Sequence, residues 1–359
     1  MRFFFGFLLL IFALNSCSPF QDIEYEIFSV IANPTNDEYI NRNWQGVPSI
    51  DYFDKSIWVA WYSGGVGEGA GNFVVVWKSD DKGKTWDKNI LAVAPSLNYR
   101  CFDPILWSFD DNLFLFVNVS NEWWDGKGGV YFIKLSSTGK LLEEFEPRFL
   151  VDGIIANKPE LKGDQVHFPI SKWPYGDNRG GIFDFITNKD FEELNTSNIE
   201  PISEIRSYDE PLIADCGDSL ICLVRTKEGQ FYSSSYDEGL SWSRLTEFLP
   251  SNTSVNTIDS RIFFRKIEGR YYFVFNNSVE AKRKNMVFAE MDESISNMNF
   301  KLLLDHREKV SYPDLSYHDS TFYCVYDRNR YEEREIYLAT IRIAGNGYFL
   351  VDKKIIDSR

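Results

Sequence analysis

The sequence has few of the residues that build metal sites or disulfide frameworks. Its 359 residues include 3 histidines and 5 cysteines, and no two cysteines have the C-x-x-C spacing of a structural zinc site. A phosphate-binding loop and a G-x-S-x-G nucleophile elbow are also missing from the sequence. We therefore expect neither a metal nor a cofactor.

Positive charge is also in short supply. The chain has 53 acidic and 38 basic residues, which gives a formal net charge of -15. Such a surface repels phosphate backbones, because like charges dominate the field around the protein. This balance argues against a nucleic-acid partner, although it leaves room for a local basic pocket.

Long apolar runs are missing except at the N-terminus. Arg2 precedes an apolar stretch over residues 3–13, which is too short to span a bilayer. Leu14, Asn15 and Ser16 then lead to Cys17, a pattern that resembles a lipobox. The resemblance implies a signal peptide over 1–16, a lipid on Cys17, a tether and lead-in over 17–40, and an exported lipoprotein in the outer membrane.

Helical periodicity is not evident in the remainder of the chain. Short apolar runs are broken by Gly, Asp and Asn, and aromatic residues make up 16% of the sequence. Both features are typical of an all-β protein. Cys216 and Cys222 flank a turn over residues 217–219, where either a cross-strand disulfide or two buried free thiols would fit.

Two segments, 79–86 and 235–242, repeat almost literally. Both fit the pattern S-x-D-x-G-x-[TS]-W. The Ser and Asp side chains can accept hydrogen bonds from local backbone N–H groups, and the glycine supplies the positive φ of a tight turn. Here the chain resembles the Asp-box, or BNR-repeat, family of sialidases (neuraminidases) and related propellers.

A weaker repeat places a polar cluster beside a proline. Its prolines stand at positions 48, 104, 159, 211 and 313, so the spacings are 56, 55, 52 and 102 residues. The last spacing is about twice the others, and Arg261 lies where the missing unit belongs. Six units of this length predict a six-bladed β-propeller over 41–359, with four short strands in each blade.

The starts of all inner strands of a propeller meet at one mouth of the central channel. We therefore expect the clusters to converge there, although proline and aspartate can also merely mark strand starts. The residues that this reasoning assigns to substrate binding at the mouth are Gln45, Arg100, Asp103, Lys158, Asp209, Arg261 and Asp314.

The second half of the chain resembles the catalytic pattern of sialidases. The resemblance implies that Tyr312 is the nucleophile, that Glu210 activates it, and that Arg225 and Arg283 bind the substrate carboxylate. A tyrosine suits this chemistry because a carboxylate nucleophile would be repelled by the carboxylate of the sugar. Arginine suits the second role because its guanidinium is planar, charged and bidentate.

The first half departs from that pattern. Gly46 occupies the position of the first carboxylate-binding arginine, and Arg42, four residues upstream, is the nearest substitute. The loop over residues 61–72 is rich in glycine and has one carboxylate, Glu68. We expect Glu68 to be the proton donor, carried by a loop that could act as a lid.

These features predict an exo-acting glycoside hydrolase that removes terminal acidic sugars, such as sialic acid, from glycans. Two alternatives stay open. One is another glycosidase or a polysaccharide lyase acting on uronic-acid glycans, because one fold hosts many reactions. The other is a non-catalytic glycan-binding lipoprotein, which could stack sugars on aromatic side chains: Trp44, Trp61, Tyr62, Trp123 and Trp124.

Overall fold

The computed structural model describes most of the chain after its N-terminal segment. The described residues are 27–34, 42–121, 124, 126–137, 140–142, 145–174, 180–200, 209–226, 229–249, 260–278, 283–292 and 294–358. Within these ranges the chain forms 27 β-strands in six antiparallel sheets and contains no α-helix. The same residues therefore offer no helix that could cross a membrane.

The first three sheets follow one another along the chain. Sheet 1 contains β1 (Phe28–Ala32), β2 (Gln45–Phe53), β3 (Ser56–Ser63), β4 (Phe73–Ser79) and β5 (Asp87–Pro95). Sheet 2 contains β6 (Tyr99–Phe109), β7 (Asn112–Asn121), β8 (Gly128–Ser137), β9 (Lys140–Leu141) and β10 (Pro147–Val151). Sheet 3 contains β11 (Ile154–Ile155), β12 (Glu160–Lys162), β13 (Gln165–Lys172), β14 (Gly181–Thr187) and β15 (Glu193–Glu200).

The last three sheets have four strands each. Sheet 4 contains β16 (Glu210–Asp215), β17 (Leu220–Thr226), β18 (Gly229–Ser235) and β19 (Thr246–Glu247). Sheet 5 contains β20 (Phe263–Ile267), β21 (Arg270–Asn276), β22 (Lys284–Met291) and β23 (Met298–Glu308). Sheet 6 contains β24 (Val310–His318), β25 (Thr321–Arg328), β26 (Glu335–Ala344) and β27 (Gly347–Asp357).

The six sheets form a closed ring. Strand β2 of the first sheet lies beside β6 of the second and beside β24 of the sixth. Among the described residues, six apolar clusters fill the six junctions between neighbouring sheets. Successive side chains of a strand point to opposite faces, so each sheet supplies both of its junctions. The protein is a six-bladed β-propeller, as the repeat predicts. It begins before residue 41, however, because β1 pairs with β5 and so belongs to the first blade instead of a lead-in.

The alternation also decides the state of the cysteines. Cys222 packs in the junction between sheets 3 and 4, whereas Cys216 packs against the junction between sheets 4 and 5. The two side chains thus lie on opposite faces of sheet 4, and both are free thiols, as are Cys101 and Cys324. Of the two readings of this pair, the free thiols are the correct one.

Both Asp boxes adopt the same hydrogen-bonded turn. In the first, the Asp81 carboxylate accepts hydrogen bonds from the Ser79 hydroxyl at 2.8 Å and from the Thr85 backbone N–H at 2.8 Å. The Gly83 N–H donates to Ser79 Oγ at 2.8 Å, with φ at 80°. The second box repeats this network with Ser235, Asp237, Gly239 and Ser241. The pattern therefore fixes the turn between the third and fourth strands of a blade.

Three inner strands share an irregularity at the channel mouth. The registers of β2, β6 and β24 each slip where two residues oppose one, which is a β-bulge. In each bulge the residue before the proline has positive φ: Val47 at 53°, Asp103 at 45° and Tyr312 at 53°. A bulge re-aims side chains, and all three of these residues line the same cavity.

Candidate functional site

A cavity of about 430 Å³ opens at this mouth. Its charged lining residues come from five of the six sheets and their loops: Glu68, Arg100, Asp103, Glu210, Arg225, Arg283 and Arg330. Its other lining residues are Val47, Tyr62, Phe102, Trp173, Tyr312 and Tyr331. Four arginines face three carboxylates, so the lining is formally positive although the whole chain is strongly acidic.

Tyr312 lies among cations. Its ring centroid is 4.0 Å from Cζ of Arg330 and 5.1 Å from Cζ of both Arg261 and Arg283. The Tyr312 backbone N–H donates to Ser260 Oγ at 3.1 Å, which fixes the bulge against sheet 5. Guanidinium groups over an aromatic face attract the ring quadrupole and hold it in place. The side chain is buried, with 7% of its surface exposed.

Glu210 and Arg225 form a cross-strand pair. They are directly opposite in the register of β16 and β17, and Glu210 Oε2 lies 3.4 Å from Arg225 Nη1. Glu210 Oε1 accepts a hydrogen bond from Arg261 Nη2 at 3.1 Å. Burial by itself would raise the pKa of Glu210, but the charges of Arg261 and Arg225 outweigh it and the pKa is lowered. Glu210 is therefore held as a carboxylate.

Glu210 and Tyr312 line the same cavity without a hydrogen bond between them. Among the described residues, Glu210 Oε2 accepts no hydrogen bond at all. Catalytic hydrogen bonds are often long in a ligand-free site and shorten when the substrate binds. Glu210 Oε2 is buried and paired with Arg225, so a hydrogen bond to the phenol would require one of the two side chains to move.

Asp103 shares Arg261 with Glu210. Arg261 Nη2 donates to Asp103 Oδ2 at 2.6 Å, and both residues are buried. Here desolvation dominates and the carboxylates of Glu210 and Glu68 add to it, so the pKa of Asp103 is raised despite the Arg261 charge. One arginine thus serves two neighbouring carboxyl groups whose pKa values move in opposite directions.

Glu68 reaches the cavity from the glycine-rich loop. Its Oε1 accepts a hydrogen bond from Arg330 Nη1 at 2.9 Å. The loop is tied down by Asn72, whose Nδ2 donates to the Gly67 carbonyl at 3.0 Å and whose Oδ1 accepts from the Gly69 N–H at 2.6 Å. The loop therefore presents Glu68 from a hydrogen-bonded frame.

Arg330 is the site residue that sequence reasoning missed. It follows β25 in the turn to β26, and Nε donates to Asp327 Oδ2 at 2.9 Å. Its pKa is raised well above the ordinary value, because Asp327 and neighbouring groups outweigh the burial that would lower it. The sequence gives no local signal for Arg330, because its contacts with Gly46 and Glu68 join opposite ends of the chain.

Comparison with known protein families agrees with the Asp-box turns and with the propeller fold. Residues 54–324 match the BNR repeat-like domain. The chain belongs to this family. No curated protein matches it.

Solved structures with the same fold include sialidases. Trypanosoma rangeli sialidase in complex with sialic acid is 14% identical, with a TM-score of 0.61 over 86% of this chain and 53% of that one. The chain thus spans about half the length of that sialidase. The endosialidase of phage phi92 is 10% identical, with a TM-score of 0.55 over 91% of this chain and 71% of that one.

A protein of unknown function from Dyadobacter fermentans matches almost end to end. It is 12% identical, with a TM-score of 0.54 over 92% of this chain and 96% of that one. At these identities the likeness establishes the propeller fold but not the reaction, which must be argued from the residues of the site.

Seven of the residues predicted for the site of this BNR-repeat protein do line the cavity: Glu68, Arg100, Asp103, Glu210, Arg225, Arg283 and Tyr312. Arg261 stands directly behind them, joined to Asp103 and Glu210. The repeat therefore brings together groups that are more than 240 residues apart in the chain.

The prediction that Arg42 substitutes for the missing arginine is wrong. Arg42 is buried away from the cavity, where Nη1 donates to Asp357 at 3.0 Å and Nη2 to Asn89 at 2.7 Å. It joins the start of the propeller to its last strand. Gln45 is also structural, because it accepts the indole N–H of Trp61 at 3.1 Å and donates to the Arg334 carbonyl.

Lys158 and Asp314 lie further down the channel. Lys158 Nζ is 3.2 Å from Asp314 Oδ2 and donates to the carbonyls of Ile50 and Leu315. Asp314 Oδ2 also accepts from Ser49 Oγ at 2.7 Å. These groups join sheets 1, 3 and 6 across the axis and do not line the cavity. Asp209 is fully buried and is likewise outside the lining.

The aromatic platform for sugars differs from the predicted one. Trp44 and Trp61 are fully buried in the sheets, and of the predicted set Tyr62 reaches the cavity. Trp173, which sequence reasoning passed over, joins it there. Trp123 and Cys17 lie outside the described residues. In the described part of the chain, no group of three or more His, Cys, Asp or Glu side chains could hold a metal ion.

Proposed function

We propose that this protein is an exo-acting glycoside hydrolase of the sialidase-like type, which removes terminal acidic sugars from glycans. One observation carries the proposal: a buried tyrosine, a buried carboxylate and several guanidiniums line a single cavity at the channel mouth. A sugar carboxylate would add charge-assisted hydrogen bonds to these cations, which a neutral sugar does not offer.

In the proposed reaction, Tyr312 Oη attacks the anomeric carbon and Glu210 accepts the phenol proton. Glu68 donates a proton to the leaving oxygen, so the glycosidic bond breaks and a glycosyl-tyrosine forms. Water, deprotonated by Glu68, then attacks the anomeric carbon, and the phenol regains its proton from Glu210. Two displacements at one carbon give retention of configuration. Arg225 and Arg283 hold the substrate carboxylate throughout.

The test is release of the fluorophore from a fluorogenic sialoside by purified protein and by two variants. Tyr312→Phe removes the nucleophile and should abolish release, because the phenyl ring cannot form the covalent bond. Tyr317→Phe is the matched control, since Tyr317 lies on the same strand but hydrogen-bonds Glu268 outside the cavity.

The control should retain the activity of the unmodified protein. A folded protein that binds sialoside without turnover would instead support the glycan-binding alternative, to which the missing Tyr312–Glu210 hydrogen bond lends some weight. Release from uronic-acid glycans alone would support the lyase or other glycosidase. Lipidation of Cys17 and an outer-membrane location stay predictions from the sequence.

A further inference from the structure

We infer that Arg330 is a third cation for the substrate carboxylate, and that it reaches from sheet 6 into space that Gly46 leaves open in sheet 1. The inference rests on the proposed function and adds to it a residue that determines specificity for acidic sugars.

The first observation concerns the nitrogen atoms of Arg330. Nε donates to Asp327 and Nη1 donates to Glu68, each at 2.9 Å. Within the described residues, Nη2 is buried and has no hydrogen-bond partner. A buried guanidinium N–H without an acceptor is unfavourable. Arg330 lines the cavity through other atoms of its side chain, and a small rotation of the guanidinium would bring this nitrogen to an anionic ligand oxygen.

The second observation is the reason for a glycine at position 46. A Cβ atom added there would lie 2.7 Å from Arg330 Cδ, 2.8 Å from Arg330 Nε and 2.9 Å from Asp327 Oδ2. The φ angle of Gly46 is not positive, so its backbone does not require glycine. The side chains of Arg330 and Asp327, and not the backbone conformation, therefore disfavour a larger residue at position 46.

Asp327 is the positioning residue of this arrangement. Its carboxylate is fully buried and accepts from the Val47 N–H at 2.8 Å, from Ser311 Oγ at 2.5 Å and from Arg330 Nε. It therefore joins the bulge of sheet 1 to that of sheet 6 and aims the guanidinium between them. An arginine at position 46 would lie on β2, next to the Val47 N–H that donates to Asp327.

Arg225, Arg283 and Arg330 then enter one cavity from sheets 4, 5 and 6. Arg283 and Arg330 also contact the ring of Tyr312. A carboxylate bound between them is held beside the nucleophile. A carboxylate forms charge-assisted hydrogen bonds with these three groups, which are stronger than those of a sugar hydroxyl, so Arg330 favours acidic sugars.

The test measures binding of sialic acid and of its methyl ester by titration calorimetry. Arg330→Gln should weaken binding of the acid by roughly ten- to hundredfold, the range of a lost charge-assisted hydrogen bond, with little change for the ester. Arg328→Gln is the control, because Arg328 pairs with Glu335 at 2.5 Å outside the cavity. Arg330→Lys keeps the charge, so its affinity for the acid should lie between that of the unmodified protein and that of Arg330→Gln.

A swap makes the test independent of folding losses in single variants. Gly46→Arg alone should bind poorly because the two side chains collide, whereas Gly46→Arg combined with Arg330→Gly should recover part of the affinity for the acid. Equal affinity of the unmodified protein and Arg330→Gln for sialic acid would overturn the inference and leave the proposed function standing. If the unmodified protein binds neither ligand, the proposed function fails and the inference fails with it.

Discussion

Arg261 shows how much of the site depends on one buried cation. It neutralises Asp103 and Glu210 together and packs against Tyr312. Its place was predictable, because it stands where the fifth repeat should open. Its function as the link between two carboxylates was not, because the repeat predicts which strands meet but not which atoms pair.

Replacing Arg261 by Met should lower the free energy of unfolding by about 3–5 kcal/mol, because two buried carboxylates lose their shared partner. Arg270→Met is the control: the Arg270 side chain is 67% exposed and pairs with Glu290, so its loss should cost less than about 1 kcal/mol. Urea unfolding measures both variants. A loss at Arg261 no larger than that at Arg270 would contradict this account.

The same comparison has a pH dependence of known sign. The pKa of Glu210 is below its ordinary value of 4.5, so the stability from its pairing is present above that pH and is lost as the pH falls further. The part of the gap that comes from Glu210 should therefore be present at neutral pH and narrow as the pH falls below about 4.5.

At the scale of elements, the turns were predictable and the bulges were not. The Asp-box pattern specifies its own hydrogen bonds within a few residues, and both boxes form as predicted. The X-Pro repeat marks each inner strand, but the positive φ before the proline depends on contacts with another sheet, such as Ser260 under Tyr312. The bulges bring Asp103 and Tyr312 to the cavity, whereas Asp314, two residues after Tyr312, pairs with Lys158 outside the lining.

The glycine of the second Asp box offers a test of how these turns seat against the next sheet. A Cβ on Gly239 would collide with Asp184 Oδ2 and lie 3.0 Å from His167 Cε1, whereas a Cβ on Gly217 would meet nothing within 4 Å. Their φ angles are nearly equal, at 84° and 83°. Both alanine variants therefore incur the same backbone cost of about 1–2 kcal/mol, so their difference isolates packing.

The free energy of unfolding of Gly239→Ala should be about 1 kcal/mol lower than that of Gly217→Ala, a typical cost of overpacking. Thermal unfolding followed by circular dichroism would measure it. Equal losses in the two variants would mean that the turn moves away from the His167–Asp184 pair without cost.

At the scale of the whole molecule, the number of blades was predictable from the sequence, but the contacts that close the ring were not. Six repeats predicted six sheets, and the ring brings Glu68, Glu210 and Tyr312 to one cavity. The ring closes between sheets 1 and 6, however, and the contact between Gly46 and Arg330 lies at that junction. A contact between opposite ends of the chain leaves no local pattern, so the sequence indicates Arg42, the nearest arginine, and not Arg330.

The most direct test of the account uses 2,3-difluorosialic acid, a compound captured as a covalent intermediate on Trypanosoma rangeli sialidase. Attack by Tyr312 Oη on the anomeric carbon would expel fluoride and leave a glycosyl-tyrosine, which mass spectrometry of peptides can locate. We predict an adduct on Tyr312 in the unmodified protein and in Tyr317→Phe, and none in Tyr312→Phe. An adduct on another residue, or an unmodified Tyr312 in a protein that releases sialic acid from sialosides, would contradict the proposed mechanism.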